Sequence, residues 1–150
     1  MSNTRYINRD YRTEDFDEVV KLWDETGMGG LLRGDTSETI SRTLSFGGKL
    51  IVAESVGTKK VIGTSWITVD GRRAYLHHFG VKQEFRGHGV AKKLLAESIR
   101  FAKARGLQIK LEVHRDNKAA ILLYQKYGFQ VLGDYEVYII RNYHGKTGIV

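Results

Sequence analysis

Neither cysteine nor proline occurs anywhere in the 150 residues. Without thiols the chain has no disulfide, no thiolate metal site and no cysteine nucleophile, and it fits a reducing compartment. Without proline, its turns fall to the 17 glycines and to Asn and Asp. Long apolar runs are missing too. Nothing is long enough to span a bilayer, and Met1-Ser2-Asn3-Thr4-Arg5 lacks the apolar core of a signal peptide. The expected location is therefore the cytoplasm. Linkers, internal repeats and low-complexity stretches are absent as well, so residues 1–150 are read as one domain.

What is present is an ordinary globular composition, 41% hydrophobic and 27% charged, in a chain long enough to bury a core without staples. The net charge is +7. The bases are scattered and not run together, apart from short pairs such as Lys59-Lys60, Arg72-Arg73 and Lys92-Lys93. A nucleic-acid-binding domain predicts a basic face with interleaved aromatics, and no such stripe is visible. The excess reads as a solvated surface plus an anion-binding site, with neither nucleic acid nor a membrane as partner.

The apolar spacing gives the order of elements. Residues 4–11 read as an opening strand. Thr13-Glu14-Asp15 supplies a cap and early acidic residues for a helix carrying Phe16, Val19, Val20, Leu22 and Trp23, stopped by Gly27, Gly29 and Gly30. Asp35 and Glu38 have capping-box spacing and open a second helix through Ile40, Leu44 and Phe46. Strands are expected at residues 50–53, 61–69 and 74–81, turned by Gly57-Thr58-Lys59-Lys60 and by Asp70-Gly71 into an antiparallel meander. A helix with Ala91, Leu94, Leu95, Ser98, Ile99 and Ala102 on its buried face ends at Gly106. Ile109, Leu111 and Val113 alternate as a strand, and Asp116 caps a helix through Tyr127 that Gly128 ends. Residues 135–140 read as a last strand, with residues 129–132 as a short extra one and Asn142 onward as a loose tail or a dimer arm. The expected order is β-α-α-β-β-β-α-β-α-β(-β), an α/β (α+β) mixed sheet with one strand–helix–strand crossover.

The strongest chemical signal lies between the third meander strand and the next helix. Gly87 and Gly89 let backbone approach a ligand closely, and the first helical N–H groups point outward as donors at the positive end of the dipole. Arg86 and His88 add positive character, and a pyrophosphate is a natural occupant. The Gly-Lys-Ser/Thr pattern of nucleoside triphosphate sites and the third glycine of dinucleotide sites are both missing.

Arg86-Gly87-His88-Gly89-Val90-Ala91 matches the Q/R-x-x-G-x-G/A acyl-CoA signature of the GNAT superfamily of N-acetyltransferases, with the upstream valine present as Val81. The downstream block is present too: Asn117, Ala120-Ile121, Tyr124 and Gly128-Phe129. On these two blocks the chain resembles that superfamily over nearly its whole length. The resemblance implies a twisted mixed sheet whose fourth and fifth strands splay to hold pantetheine, with acetyl-CoA as co-substrate. By the same resemblance the backbone from Arg86 through Gly87, His88, Gly89 and Val90 to Ala91 holds the CoA pyrophosphate. Phe79, Gly80 and Val81 line the pantetheine arm, Asn117 bonds it, and Tyr124 touches it near the sulfur.

Transfer to an amine needs the amine neutral, its proton removed and the departing thiolate stabilised. With no cysteinyl acyl-enzyme available, direct attack in a ternary complex is the expected route. Tyr124 is the candidate acid. The base stands open among Glu112, His77, the less closely matched His78, and a water. Leu111-Glu112-Val113 followed by the Asn117 block resembles the ribosomal-protein N-terminal acetyltransferases, which implies Glu112. His77 and His78 lie on the strand before the loop, where some members use histidine. Alternation sends that pair to opposite faces, with His77 the closer match. Their spacing suits no shared metal, and none is expected. The expected partners are acetyl-CoA and an amine acceptor, either a small amine or a protein N-terminus, with a homodimer as an option. Residues 27–36 are expected to shape the acceptor site. The alternative function is a catalytically silent CoA-binding regulatory module.

Overall fold

The computed structural model describes residues 5–143, and within it the two apolar periods separate into sheet and helices. Strand β1 (Tyr6–Asp10) is followed by a 3-10 turn and helix α1 (Phe16–Glu25), which buries Val19, Leu22 and Trp23. Helix α2 (Ser37–Ser45) follows. Strands β2 (Lys49–Ser55), β3 (Val61–Val69) and β4 (Arg73–Val81) form the expected meander. Helix α3 (Val90–Ala104) carries the chain across to β5 (Gln108–Leu111), and α4 (Lys118–Lys126) is the last regular element. Thr4 and residues 144–150 of the terminal tail lie outside the described residues.

The five strands are ordered β1-β2-β3-β4-β5, antiparallel except for the parallel β4–β5 pair. Parallel neighbours need a crossover connection, and α3 supplies it. Both faces of the sheet are covered, which is why β2 is apolar on both sides of its pleat. Ile51 and Ala53 face α3 with Ile62, Ile67 and Leu94, whereas Leu50 and Val52 face α1 and α2 with Val19, Leu22, Trp23 and Ile40.

Three local expectations are corrected. Asp35 does not cap α2; Thr36 does, its hydroxyl accepting from the Thr39 N–H at 3.1 Å. Asp116 does not cap α4; Asn117 does, its side chain accepting from the Ala120 N–H at 3.2 Å. In each case two adjacent residues can cap, and the loop geometry chooses the second. The strands expected at residues 129–132 and 135–140 do not form. Phe129 instead closes α4, its N–H donating to the Tyr124 carbonyl at 3.0 Å, and Val137, Tyr138, Ile139 and Ile140 are exposed. An alternating apolar run fits a half-buried pleated surface but does not create one. Here it has neither a ladder partner nor a face to cover.

Candidate active site

Strand β4 pairs with β5 only from Arg73 to Leu76, against Gln108 to Leu111. From His77 to Val81 it stays paired with β3 on one side while its other edge has no β5 partner, so the two strands part as the chain resemblance implied. Into the parting reach Phe79 and, from α4, Tyr124. Their ring centroids are 5.8 Å apart, and Phe129 closes on Tyr124 at 5.7 Å. Tyr124 is buried, and burial pushes its phenol up to about 12.

Past Val81 the chain makes a short 3-10 turn and then the glycine loop. Gly87 (φ 81) and Gly89 (φ 82) both take left-handed backbone, and Gly89 occupies the position before α3. No side chain caps this helix, which leaves its first amides available to an anion. Arg86 donates from Nε to the Val81 carbonyl at 3.1 Å, and His88 sits with Nδ1 3.1 Å from the Arg86 carbonyl. Both side chains brace the loop. An open cavity of about 650 Å³ lies beside the helix start, with Arg5, His88, Lys92 and Lys93 among its lining residues. The backbone path and basic rim therefore fit a phosphate-bearing ligand. Val90 is buried in the core beneath the loop, and Ala91 packs against it. Asn117 spends its carbonyl oxygen on the α4 cap.

The two histidines do not go to opposite faces, and the reason is a β-bulge. The register of β3 against β4 slips between Thr64, opposite Gly80, and Trp66, opposite His77. His78 takes φ 43, a left-handed conformation that costs a non-glycine residue about 1–3 kcal/mol. The extra residue puts both rings on the Trp23–Trp66 face of the sheet. His77 stacks on Tyr75 and bonds the Thr68 hydroxyl through Nε2 at 2.8 Å. Burial is the main cause that lowers its pKa to about 4, with the neighbouring His78 adding to the effect. His78 meets the stacked indoles of Trp23 and Trp66 edge-on, with centroids 4.5 and 5.3 Å away. Its Nε2 lies 2.7 Å from Oδ2 of Asp35.

The bulge is fixed by a chain of buried donors. Trp23 Nε1 donates to Thr64 Oγ1 at 2.9 Å, and that hydroxyl donates to the His78 carbonyl at 2.8 Å. The loop between α1 and α2 lies over it. Oδ2 of Asp35 also accepts the Gly30 N–H at 2.8 Å, and Gly29 packs directly against the His78–Asp35 pair. Gly80 meets Met28, whose Sδ would stand 2.6 Å from any added Cβ. Glu112 lies just beyond the end of β5, exposed, outside this cluster. The histidine–carboxylate pair is the feature that sequence reasoning missed. Asp35 read as a helix cap, and no sequence signal marks the bulge. Among the described residues no cluster of His, Asp or Glu converges as a metal site.

Comparison with known proteins agrees with this geometry. A model described as the acetyltransferase (GNAT) family matches residues 10–129. An acetyltransferase of Photorhabdus laumondii is 38% identical over 125 residues, which make up 81% of this chain and 85% of that protein. A predicted acetyltransferase of Clostridium acetobutylicum, solved with acetyl-CoA, superposes with a TM-score of 0.72 at 19% identity, over 90% of this chain and 96% of its own. The ribosomal-protein-S18-alanine N-acetyltransferase of Escherichia coli gives 0.70 at 20% identity, over 84% and 78%. At these identities the two structures speak for the fold. The family match over most of the chain and the nearer bacterial relative carry the assignment: the chain belongs to the acetyltransferase (GNAT) family of enzymes.

Proposed function

We infer that the protein is an acetyl-CoA-dependent N-acetyltransferase that moves an acetyl group to a primary amine by direct attack. The observation that carries this reading is the path of β4. It leaves β5 after Leu76 and, past Val81, reaches the uncapped start of α3 through two left-handed glycines. That path offers an extended edge to a pantetheine arm and, at its end, backbone amides to a pyrophosphate. Arg5, Lys92 and Lys93 around the neighbouring cavity suit the remaining charge of such a donor.

In the reaction the amine nitrogen bonds the thioester carbon, the C–S bond breaks, the sulfur gains a proton and the amine loses one. Tyr124 suits the proton donor to sulfur, because a phenol held near 12 is protonated at every working pH. The acceptor is a small amine or a protein N-terminus. The names of two neighbours, a glucosamine-6-phosphate N-acetyltransferase of Arabidopsis thaliana and the ribosomal-protein enzyme, illustrate both classes. Of the implied bases, His77 is a weak one at a pKa near 4, and Glu112 is exposed just past the end of β5. The exposed apolar residues Val137 to Ile140 are compatible with a homodimer. Nucleic acid and membranes have no part in this reading, and among the described residues no helix is long and apolar enough to cross a membrane.

Titration with acetyl-CoA, dephospho-CoA and NAD tests it. Selective acetyl-CoA binding, followed by amine-dependent thiol release, is the expected result, and absence of binding overturns the function. Tyr124→Phe should lower turnover by about 10²-fold, in the range of a lost general acid, at unchanged acetyl-CoA affinity.

A further inference from the structure

We propose that His78 is the general base for the acceptor amine and that Asp35 is the carboxylate that positions it; this deepens the acetyltransferase reading and rests on it. His78 stands two residues past Leu76, where the β4–β5 ladder ends. Its neighbour Phe79 points to the other side of the sheet, onto Tyr124. The bulge thus puts a base and an acid on successive residues' faces, either side of the parting in which a thioester would lie. The acceptor enters from the His78 side, under residues 27–34, which lie over β4 through Gly29 and the Met28–Gly80 contact.

The carboxylate is built to hold one arrangement. Asp35 is only 6% exposed, and its Oδ2 receives both the Gly30 N–H and the imidazole. An ionised carboxylate accepts, so Nε2 carries the proton and Nδ1 carries the lone pair. No partner of Nδ1 is seen among the described residues. A histidine backed this way takes a proton in the correct tautomer, and the carboxylate stabilises the imidazolium that forms. The amine proton passes to Nδ1, Tyr124 gives its proton to the sulfur, and both side chains return to their starting states by exchange with solvent. The titratable groups around His78 are Asp35 from the loop and His77 from its own strand. Strand β3 presents Trp66, and α1 presents Trp23, with its Asp24 bordering the loop at Gly30.

The strained φ also sets the test. Asparagine tolerates the left-handed region, so His78→Asn removes the base while keeping the bulge. His78→Gln serves as the second variant, and thermal melts confirm that each folds. Acetyl-CoA affinity is measured by titration, and kcat/KM against pH with the amine that the wild type turns over fastest among small primary amines and peptides with free N-termini. The expected result for His78→Asn is a loss of about 10²-fold or more in kcat/KM, disappearance of the acid limb of the profile, and unchanged acetyl-CoA affinity. Asp35→Asn keeps an oxygen for the Gly30 N–H and the imidazole but removes the charge that stabilises the imidazolium, so it should lose rate as well, again with the donor bound normally. A merely structural latch would lower melting temperature and raise KM without removing the acid limb, and that result overturns the proposal. If the wild type binds acetyl-CoA but turns over no amine, the function itself fails and this inference falls with it. A rate loss that comes only with lost acetyl-CoA binding assigns the pair to the donor site and overturns it as well.

Discussion

His77 and His78 are adjacent and chemically identical, and one slipped register gives them different surroundings. Burial against Trp66 and Tyr75 keeps His77 neutral down to a pKa of about 4, whereas the unfolded side chain titrates near 6.5. Between those values the unfolded chain binds more protons than the folded one, so the stabilising contribution is complete above about pH 6.5 and is lost as the pH falls toward 4. At about 1.4 kcal/mol for each unit, the whole contribution is roughly 3 kcal/mol. Urea midpoints followed from pH 7 to 4 should fall more steeply for the wild type than for His77→Phe; parallel curves would remove His77 as the acid-sensitive group. Nothing in the sequence says that the two rings share a face. The alternation rule that sent them to opposite faces assumes an unbroken ladder, and a bulge is written in no residue type except, loosely, glycine. Asp35 was hidden for a different reason: beside a threonine and three residues before a glutamate, its spacing is that of a cap.

At the scale of elements, periodicity was informative wherever an element is packed on one side or both. Helix α3 could be read because Leu94, Leu95, Ser98 and Ala102 meet the sheet, and its start because Gly87 and Gly89 supply φ values of 81 and 82. The run from Tyr135 to Ile140 has the same quality of pattern and forms no strand, since strand formation depends on a partner that sequence does not display. Gly89→Asp adds a side chain at a left-handed position and a negative charge at the uncapped start of α3, and should weaken acetyl-CoA binding by well over 10-fold in titration. Gly89→Ala separates the causes. It should cost about 1–2 kcal/mol of stability from the backbone alone while retaining more of the affinity.

For the whole molecule, strand order equals chain order, and only the β4–β5 pair needs a crossover. That topology was legible from one strand–helix–strand unit after a meander, but the point at which β4 and β5 part was not. Native-state hydrogen exchange should be slowest in β2 and β3, which are paired on both sides, and fastest in the four-residue edge β5. Exchange in β5 as slow as in β3 would contradict this. The stacked indoles behind His78 have a further consequence. Trp23 and Trp66 are the only two tryptophans in the chain, and both touch that imidazole. Excited beyond the absorption of tyrosine, the protein therefore emits from this one spot. An imidazolium is a better quencher than a neutral imidazole, so protonation of His78 should dim the emission, and arrival of an acceptor beneath the loop should shift its colour. The enzyme carries its own optical probe of the His78 face of the sheet, with no label to attach.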